Sequence, residues 1–358
     1  MTRLGSDATL NPTKEVVALK FDEAKKREIK TYILEKISQK APSISKTVAE
    51  TFGVNASTIH VYMNELVEEQ VIRKVKRGEY ELVTNEYVYE LSRENGDLDS
   101  DTYAYDICLS KHIEKYGSNV KNIWAYVFSE MVNNVMDHSM AMNVRIIIEQ
   151  DYIKTSVLLF DNGVGIFNKI QEYFKLPSIE EAICELFKGK LTTDAENHSG
   201  EGIFFSSKLM DNFFIASSGK IFTNNKYDDS RILDMALVNT QGTCVFMELS
   251  NFSHKEAKEI FDLYADVDGG FVKTKIPLKN IFDASPVSRS QAKRVCNHLD
   301  KFKEVIVDFD GIPWMGQGFA HQLFVVFANS HADIVITPIN MNEDITKMYN
   351  HVRNSNKN

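Results

Sequence analysis

Three punctuated segments between residues 120 and 210 constrain this chain more than any other feature. The first has helical periodicity from near Val120 to Ser139 and carries Glu130 and Asn134 four residues apart. That spacing puts both side chains on one helix face. Two strand-like stretches, 144–149 and 155–160, follow and run into Asp161-Asn162-Gly163-Val164-Gly165, 31 residues beyond Glu130. The last segment, 187–193, leads to His198-Ser199-Gly200-Glu201-Gly202-Ile203 and a helix reaching about Met210. The order suits a fold in which one helix face, one strand end and one helix start converge.

Each segment suggests a chemistry. The amide oxygen of Asn134 suits a hard cation such as Mg2+ on phosphates, and Glu130 could orient or deprotonate a nucleophile. Alone, such a pair is common on exposed helices. Asp161 at a strand end can accept a hydrogen bond from an adenine amino group, and Gly163 and Gly165 let the backbone approach a purine. Gly200 and Gly202 would open a helix whose free N–H groups face phosphates. Lys190 could neutralise phosphate charge, or be a solvated loop lysine; Thr192 or Thr193 could add hydrogen bonds. Gly242-Thr243 opens a strand over 244–249.

Taken in this order, the motifs resemble the N box, G1 box, lid with G2 box and final motif of the GHKL (histidine kinase-like) ATPase superfamily, over about residues 105–250. The resemblance implies an α/β sandwich binding ATP and Mg2+. Glu130 would be the catalytic base, Asn134 the magnesium ligand, and Asp161, Gly163 and Gly165 the adenine contacts. Lys190, Thr192, Gly200, Gly202 and Thr243 would complete the nucleotide site. Asn134-x-x-x-His138 is closest to the anti-sigma-factor serine-kinase branch, with His138 a packing residue. A classical histidine kinase is not expected: the one histidine of the preceding helix-like region, in Lys111-His112-Ile113-Glu114, lacks the usual phosphoacceptor neighbours. The enzyme expected is a weak ATPase or a kinase phosphorylating serine or threonine on a separate protein. A sensor without turnover is the third reading, and the intact Glu130 weighs against it.

Ahead of this lies a different module. Residues 1–20 read as a flexible leader. Helical periodicity over 21–39 puts Ile29, Tyr32, Ile33 and Ile37 on one face, a break at Ala41-Pro42-Ser43 follows, and Ser43 or Ser45 can cap a short helix, 46–52. Asn55 is placed to cap a helix over 56–70 with Ile59, Tyr62, Met63, Leu66 and Val67 inward. Residues 71–76 and 79–83 read as a hairpin turning at Arg77-Gly78. This order resembles a winged helix-turn-helix, with a bend at Phe52-Gly53-Val54-Asn55. The resemblance implies that Ser57, Thr58, His60 and Tyr62, with Asn64 nearby, meet DNA, and that Arg73, Lys74, Lys76 and Arg77 form a basic wing at phosphates. Residues 25–80 hold 11 Lys+Arg against 7 Asp+Glu, so this stretch is +4 in a chain of net charge -9. A basic module on an acidic body fits one DNA-contacting unit; a winged helix used only for protein contacts is the alternative. Residues 84–105 read as a polar linker turning at Asn95-Gly96-Asp97.

Beyond residue 250, a strand-like stretch at 270–278 leads into alternating helix and strand: helix 289–301, strand 304–309, helix 316–328, strand 334–339 and helix 343–352, an α/β unit. Val307-Asp308-Phe309-Asp310-Gly311-Ile312-Pro313-Trp314-Met315-Gly316-Gln317-Gly318-Phe319 resembles the STAS fold of anti-sigma-factor antagonists. Those place a phosphorylatable serine at this helix start; Gly316-Gln317-Gly318 stands here instead, which argues against self-phosphorylation and leaves a docking surface or anion site open.

The expected fold class is therefore α+β and multi-domain: leader 1–20, winged helix 21–84, GHKL sandwich 105–250, linker strand region 251–284 and STAS-like domain 285–358. No apolar run approaches the roughly 20 residues of a membrane span, and residues 1–20 lack a signal-peptide core. The chain is expected to be a cytoplasmic regulator of transcription or signalling. Its expected partners are DNA through residues 43–80, a protein through the STAS-like domain, and a second copy of itself, with no membrane. Four scattered cysteines without a CxxC pair read as reduced and buried.

Overall fold

The structure is a computed structural model; it describes residues 23–191, 200–224, 241–282 and 284–354. The chain divides into two compact units, one ending at Val83 and the other beginning at Thr84.

In the first unit, α1 (Glu23–Ser38) buries Ile29, Ile33 and Ile37 of the stripe that its three- and four-residue spacing predicts, with Leu34 beside them and Tyr32 half-buried. α2 (Ile44–Phe52) stops at Gly53, whose φ of 64° is the left-handed conformation that a non-glycine residue adopts at a cost. α3 (Ala56–Glu68) follows and buries Ile59, Tyr62, Met63 and Leu66. Ser43 and Asn55 stand at the two helix starts, but neither side chain makes the capping hydrogen bond. β1 (Ile72–Lys76) and β2 (Glu79–Leu82) pair antiparallel, from Ile72 opposite Leu82 to Lys76 opposite Glu79.

The described residues of the second unit form two sheets. Residues 84–105, expected as a linker, are structured. β3 (Asn85–Ser92) is an edge strand, and α4 (Asp101–Tyr105) passes into a π turn, Asp106–Ser110. Then come α5 (Ser118–Asn133), continued by a π turn over Asn134–Ser139, the hairpin β4 (Asn143–Gln150) and β5 (Lys154–Asp161), α6 (Ile166–Phe174) and α7 (Ile179–Lys188). α8 (Gly202–Leu209), β6 (Asn212–Ser217), β7 (Lys220–Thr223) and β8 (Thr243–Ser250) complete a six-stranded sheet of order β3-β4-β5-β8-β6-β7, in which every pair is antiparallel. Alternation along the strands turns Val144, Ile146 and Ile148, Val157 and Leu159, and Val245 and Met247 into one core with Trp124, Val127, Phe128 and Met131 of α5.

α9 (Ala257–Asp262) leads to the second sheet. β9 (Lys273–Pro277), β10 (Glu304–Asp308) and β11 (Val335–Ile339) run parallel with β10 in the middle. Parallel neighbours need crossovers, here α10 (Arg289–Cys296) and a helix that starts as α11 (Gln317–His321) and continues as a π turn, Gln322–Phe327; α12 (Glu343–Asn354) closes the chain. The strand-like stretch read at 270–278, in the linker strand region 251–284, thus supplies β9 and belongs to the parallel sheet. Phe204 and Phe205 of α8 belong to this second core, although α8 leads into the antiparallel sheet. All four cysteines are buried and unpaired, and among the described residues no helix is long and apolar enough to cross a membrane.

Candidate functional site

Residues from α5, its π turn, the β5–α6 turn, the α7–α8 region and β8 line one cavity of about 260 Å³. The apolar stripe of α5, Val120 to Val132, is pinned into the core, which leaves Glu130 and Asn134 on the neighbouring face. Both line the cavity, as does His138 one turn further. Wide turns of this kind recur where a helix must present side chains irregularly.

Asp161 enters from the end of β5. It is buried, and its Oδ1 accepts the Gly163 N–H at 2.8 Å. Burial raises its carboxyl above the usual aspartate range, against the hydrogen bonds from Gly163 and Thr243. Thr243 is its cross-strand partner on β8 and accepts the Ile166 N–H at 3.1 Å, tying the start of α6 to the sheet. The turn is held from outside: Asn162 Oδ1 accepts the amides of Met142 and Asn143, and the Val164 N–H donates to Ser139 O. A Cβ on Gly163 would fall 2.1 Å from Ser139 O, so only glycine lets the turn pass so close to the π turn.

Gly165, Gly200, Gly202 and Thr243 also line the cavity. Gly202 begins α8, and a Cβ there would sit 1.9 Å from Glu130 Oε2. The Glu130 carboxylate therefore lies against the N-terminal end of a helix, where the dipole favours an anion. Ile166, Ile170, Ile215 and Val245 give the cavity apolar walls. It therefore combines apolar walls and the buried Asp161 carboxylate with the Asn134 carboxamide and the Glu130 carboxylate.

Two expected contacts lie elsewhere. Gly163 packs on the π turn and does not line this cavity. Lys190 is turned away: its ammonium donates to Lys301 O at 2.9 Å and lies 5.5 and 5.1 Å from the Phe271 and Phe302 ring centres. The Lys301 carbonyl and the two ring faces hold the ammonium there. The lysine that lines the cavity is Lys169 of α6, which sequence reasoning missed; its signal was its place four residues after Gly165. Thr192 and Thr193 lie outside the described residues.

Arg93 was missed as well. It follows β3, in the segment expected to be linker, and its guanidinium donates to Ala141 O at 2.7 Å and to the carbonyls of Val135 and Met136. It therefore binds the backbone of the turn that carries Asn134. His112 is committed to packing: it stacks on Tyr87 and its Nε2 shares a hydrogen bond with Tyr89 Oη.

In the first unit, Ser57 and His60 are exposed, with Val61 and Asn64 on the same helical face, and Thr58 is half-buried. Tyr62 carries two expectations, and the inward one holds: only 8% exposed, it packs in the core under the Lys26 ammonium, which corrects its place among the residues facing DNA. Val67, expected inward, is exposed. Arg73, Lys74, Lys76 and Arg77 are exposed along the hairpin; Arg73 pairs with Glu81 and Lys76 with Glu79. The acidic far end of α3 is neutralised from α1, where Lys26 and Lys30 hold Glu65 and Lys30 holds Glu69.

At the start of α11, the Gly316 N–H donates to Pro286 O and the Phe319 N–H to Val287 O. A Cβ on Gly316 would lie 2.5 Å from Val287 O, so the crossing 286–287 backbone leaves no room for serine. Residues 291–346 match the family described as STAS-like domain of unknown function (DUF4325). The C-terminal parallel-sheet part is thus a STAS-like domain, with β9 lying ahead of the matched residues. No curated protein matches the chain.

Proposed function

We propose that the chain is a cytoplasmic Mg-ATP-binding regulator in which a GHKL-type site is coupled to a winged-helix DNA-binding unit and to the STAS-like domain. The observation that carries this reading is the convergence of Glu130, Asn134 and Asp161, from a helix and a strand end separated by a hairpin, on one cavity. Asp161 would accept from the adenine amino group, and Ile166, Ile170 and Val245, which line the cavity, would face the base. Asn134 Oδ1 is the protein ligand to magnesium. The other positions on such an ion would be taken by phosphate and water oxygens, as is usual for magnesium. Glu130 orients or deprotonates the nucleophile, at the helix end where charge develops. A STAS-like domain in the same chain accords with a regulatory role.

The test is calorimetric titration with ATP, with and without Mg2+, combined with phosphate release. Asn134→Ala is expected to remove the magnesium-dependent part of the affinity. Glu130→Ala is expected to keep binding and lose turnover on the order of 100-fold or more. Magnesium-independent binding by both proteins, or phosphate release by Glu130→Ala at the wild-type rate, would overturn the assignment.

His138 lining the cavity one turn beyond Asn134 supports a second reading, a serine or threonine kinase acting on a separate STAS protein. Label transfer from ATP to such a protein would select it; free phosphate alone selects the ATPase.

A further inference from the structure

The wall of the cavity formed by the end of α7 and the start of α8 is built into the STAS-like domain. Leu186, Gly189 and Leu191 line the cavity on one side of the 192–199 segment, and Gly200, Gly202 and Phe204 on the other. Between the first of these, Lys188 points the opposite way. Its side chain is 1% exposed, and its ammonium donates to Glu185 Oε1 at 2.7 Å, Arg294 O at 3.0 Å and Asn297 O at 2.6 Å. The two carbonyls belong to the C-terminal end of α10, where a cation completes the unsatisfied acceptors and meets the negative end of the dipole. Glu185 Oε2 also takes His298 Nδ1 at 3.0 Å. The backbone is fastened too, because Thr274 Oγ1 of β9 donates to Lys188 O at 2.7 Å. Lys190 and Lys301 exchange reciprocal ammonium-to-carbonyl bonds.

The other half of the wall is tied by packing. Phe204 lines the cavity and meets Phe205, Tyr264 and Phe271 at ring-centre distances of 5.3, 4.9 and 4.9 Å. Phe271 in turn abuts Gly189, where a Cβ would meet its ring at 2.8 Å. A buried ion pair is worth little as stability when compared with apolar packing, but its geometry is exacting. A ligand that shifts Leu186–Leu191 cannot do so without disturbing the bonds of Lys188 to α10.

We propose that the STAS-like domain reads the state of the cavity through Lys188: occupancy changes the stability of the α10 end, residues 294–301, and by linkage the order of that end sets ligand affinity. This rests on the nucleotide reading of the site. The STAS-like domain is then a fixed receiver whose α10 terminus is tightened or loosened, in place of a free module on a tether.

Hydrogen exchange on the full chain with and without Mg-ATP tests it. Nucleotide is expected to change exchange over 289–301 on the order of threefold or more, together with protection of 130–139 and 161–166. The single variant Lys188→Met strands the Glu185 carboxylate, so the informative variant is Glu185→Gln with Lys188→Met, which removes both charges. It is expected to keep protection at 130–139 while the response at 289–301 falls away. If 289–301 stays silent in the wild type while the cavity is protected, or responds equally in the double variant, the coupling is wrong and the site stands. If nucleotide protects neither region, the nucleotide reading fails and takes the coupling with it.

Discussion

Burial raises the Asp161 carboxyl above the ordinary aspartate value of 3.8, and only its ionised form accepts from an amino group with both oxygens. The folded chain takes up this proton at a higher pH than the unfolded chain does. The carboxylate therefore costs stability near neutrality, and the cost is relieved as pH falls through the folded value. Ligand affinity runs the other way: it should decline on acidification, beginning above 3.8, and Asp161→Asn should flatten that decline and lower affinity by roughly tenfold or more. Melting of the ligand-free variant should be no lower than that of the wild type. Titrations from pH 7 to 4.5 with parallel melts check both. The lysines divide in the same manner: Lys169→Ala should weaken ATP by roughly tenfold, and Lys190→Ala, whose ammonium already serves Lys301 O, should weaken it far less. At Gly202 the added methyl of Gly202→Ala meets Glu130 Oε2, so turnover should fall while nucleotide still binds.

Among elements, the π turn over Asn134–Ser139 depends on a residue that no local pattern marks. Arg93 binds its carbonyls from the far end of β3. Arg93→Ala should weaken magnesium-dependent ATP binding more than magnesium-independent binding, with Arg93→Lys recovering part of it; the same titrations measure that split. In the first unit, the exposed face of α3 and the hairpin tip carry the DNA reading. Lys74→Ala with Arg77→Ala should lower the salt dependence of DNA affinity by about 2 in log-log slope, read by binding at several salt concentrations. Unchanged slope would leave the unit a protein-contact module. Tyr62 belongs to neither test, because it is core.

For the whole molecule, the cores of the antiparallel and parallel sheets of the second unit share a border: Tyr126 of α5, Ile260 and Phe261 of α9, and Ile281 pack against both. Removing one partner of a buried ion pair typically costs about 3–5 kcal/mol. Lys188→Met should therefore lower urea stability by that order, and the double change with Glu185→Gln should cost clearly less. Equal losses would mean that the stranded Glu185 charge adds nothing and that the cost lies in packing and in the bonds to Arg294 O and Asn297 O.

By itself the sequence determined what depends on neighbours along the chain. The 3.6-residue stripe of α5, the alternation in β4 and β5, the stop at Gly53 and the turn after Asp161 are local preferences of backbone and burial, so their places were legible from residue types alone. The pairing of Glu130 with Asn134 was legible for the same reason. Tertiary structure decided what depends on partners distant in the chain. It drew 85–92 from an apparent linker into a sheet and gave the strand-like stretch 273–277 its partner at 304–308, because a strand exists only when another supplies its hydrogen bonds. It turned Lys190 away from the cavity, because a long side chain follows whichever distant group satisfies its head, here the Lys301 carbonyl. It also set Arg93 and Lys188 across helix ends whose open carbonyls no sequence spacing reveals.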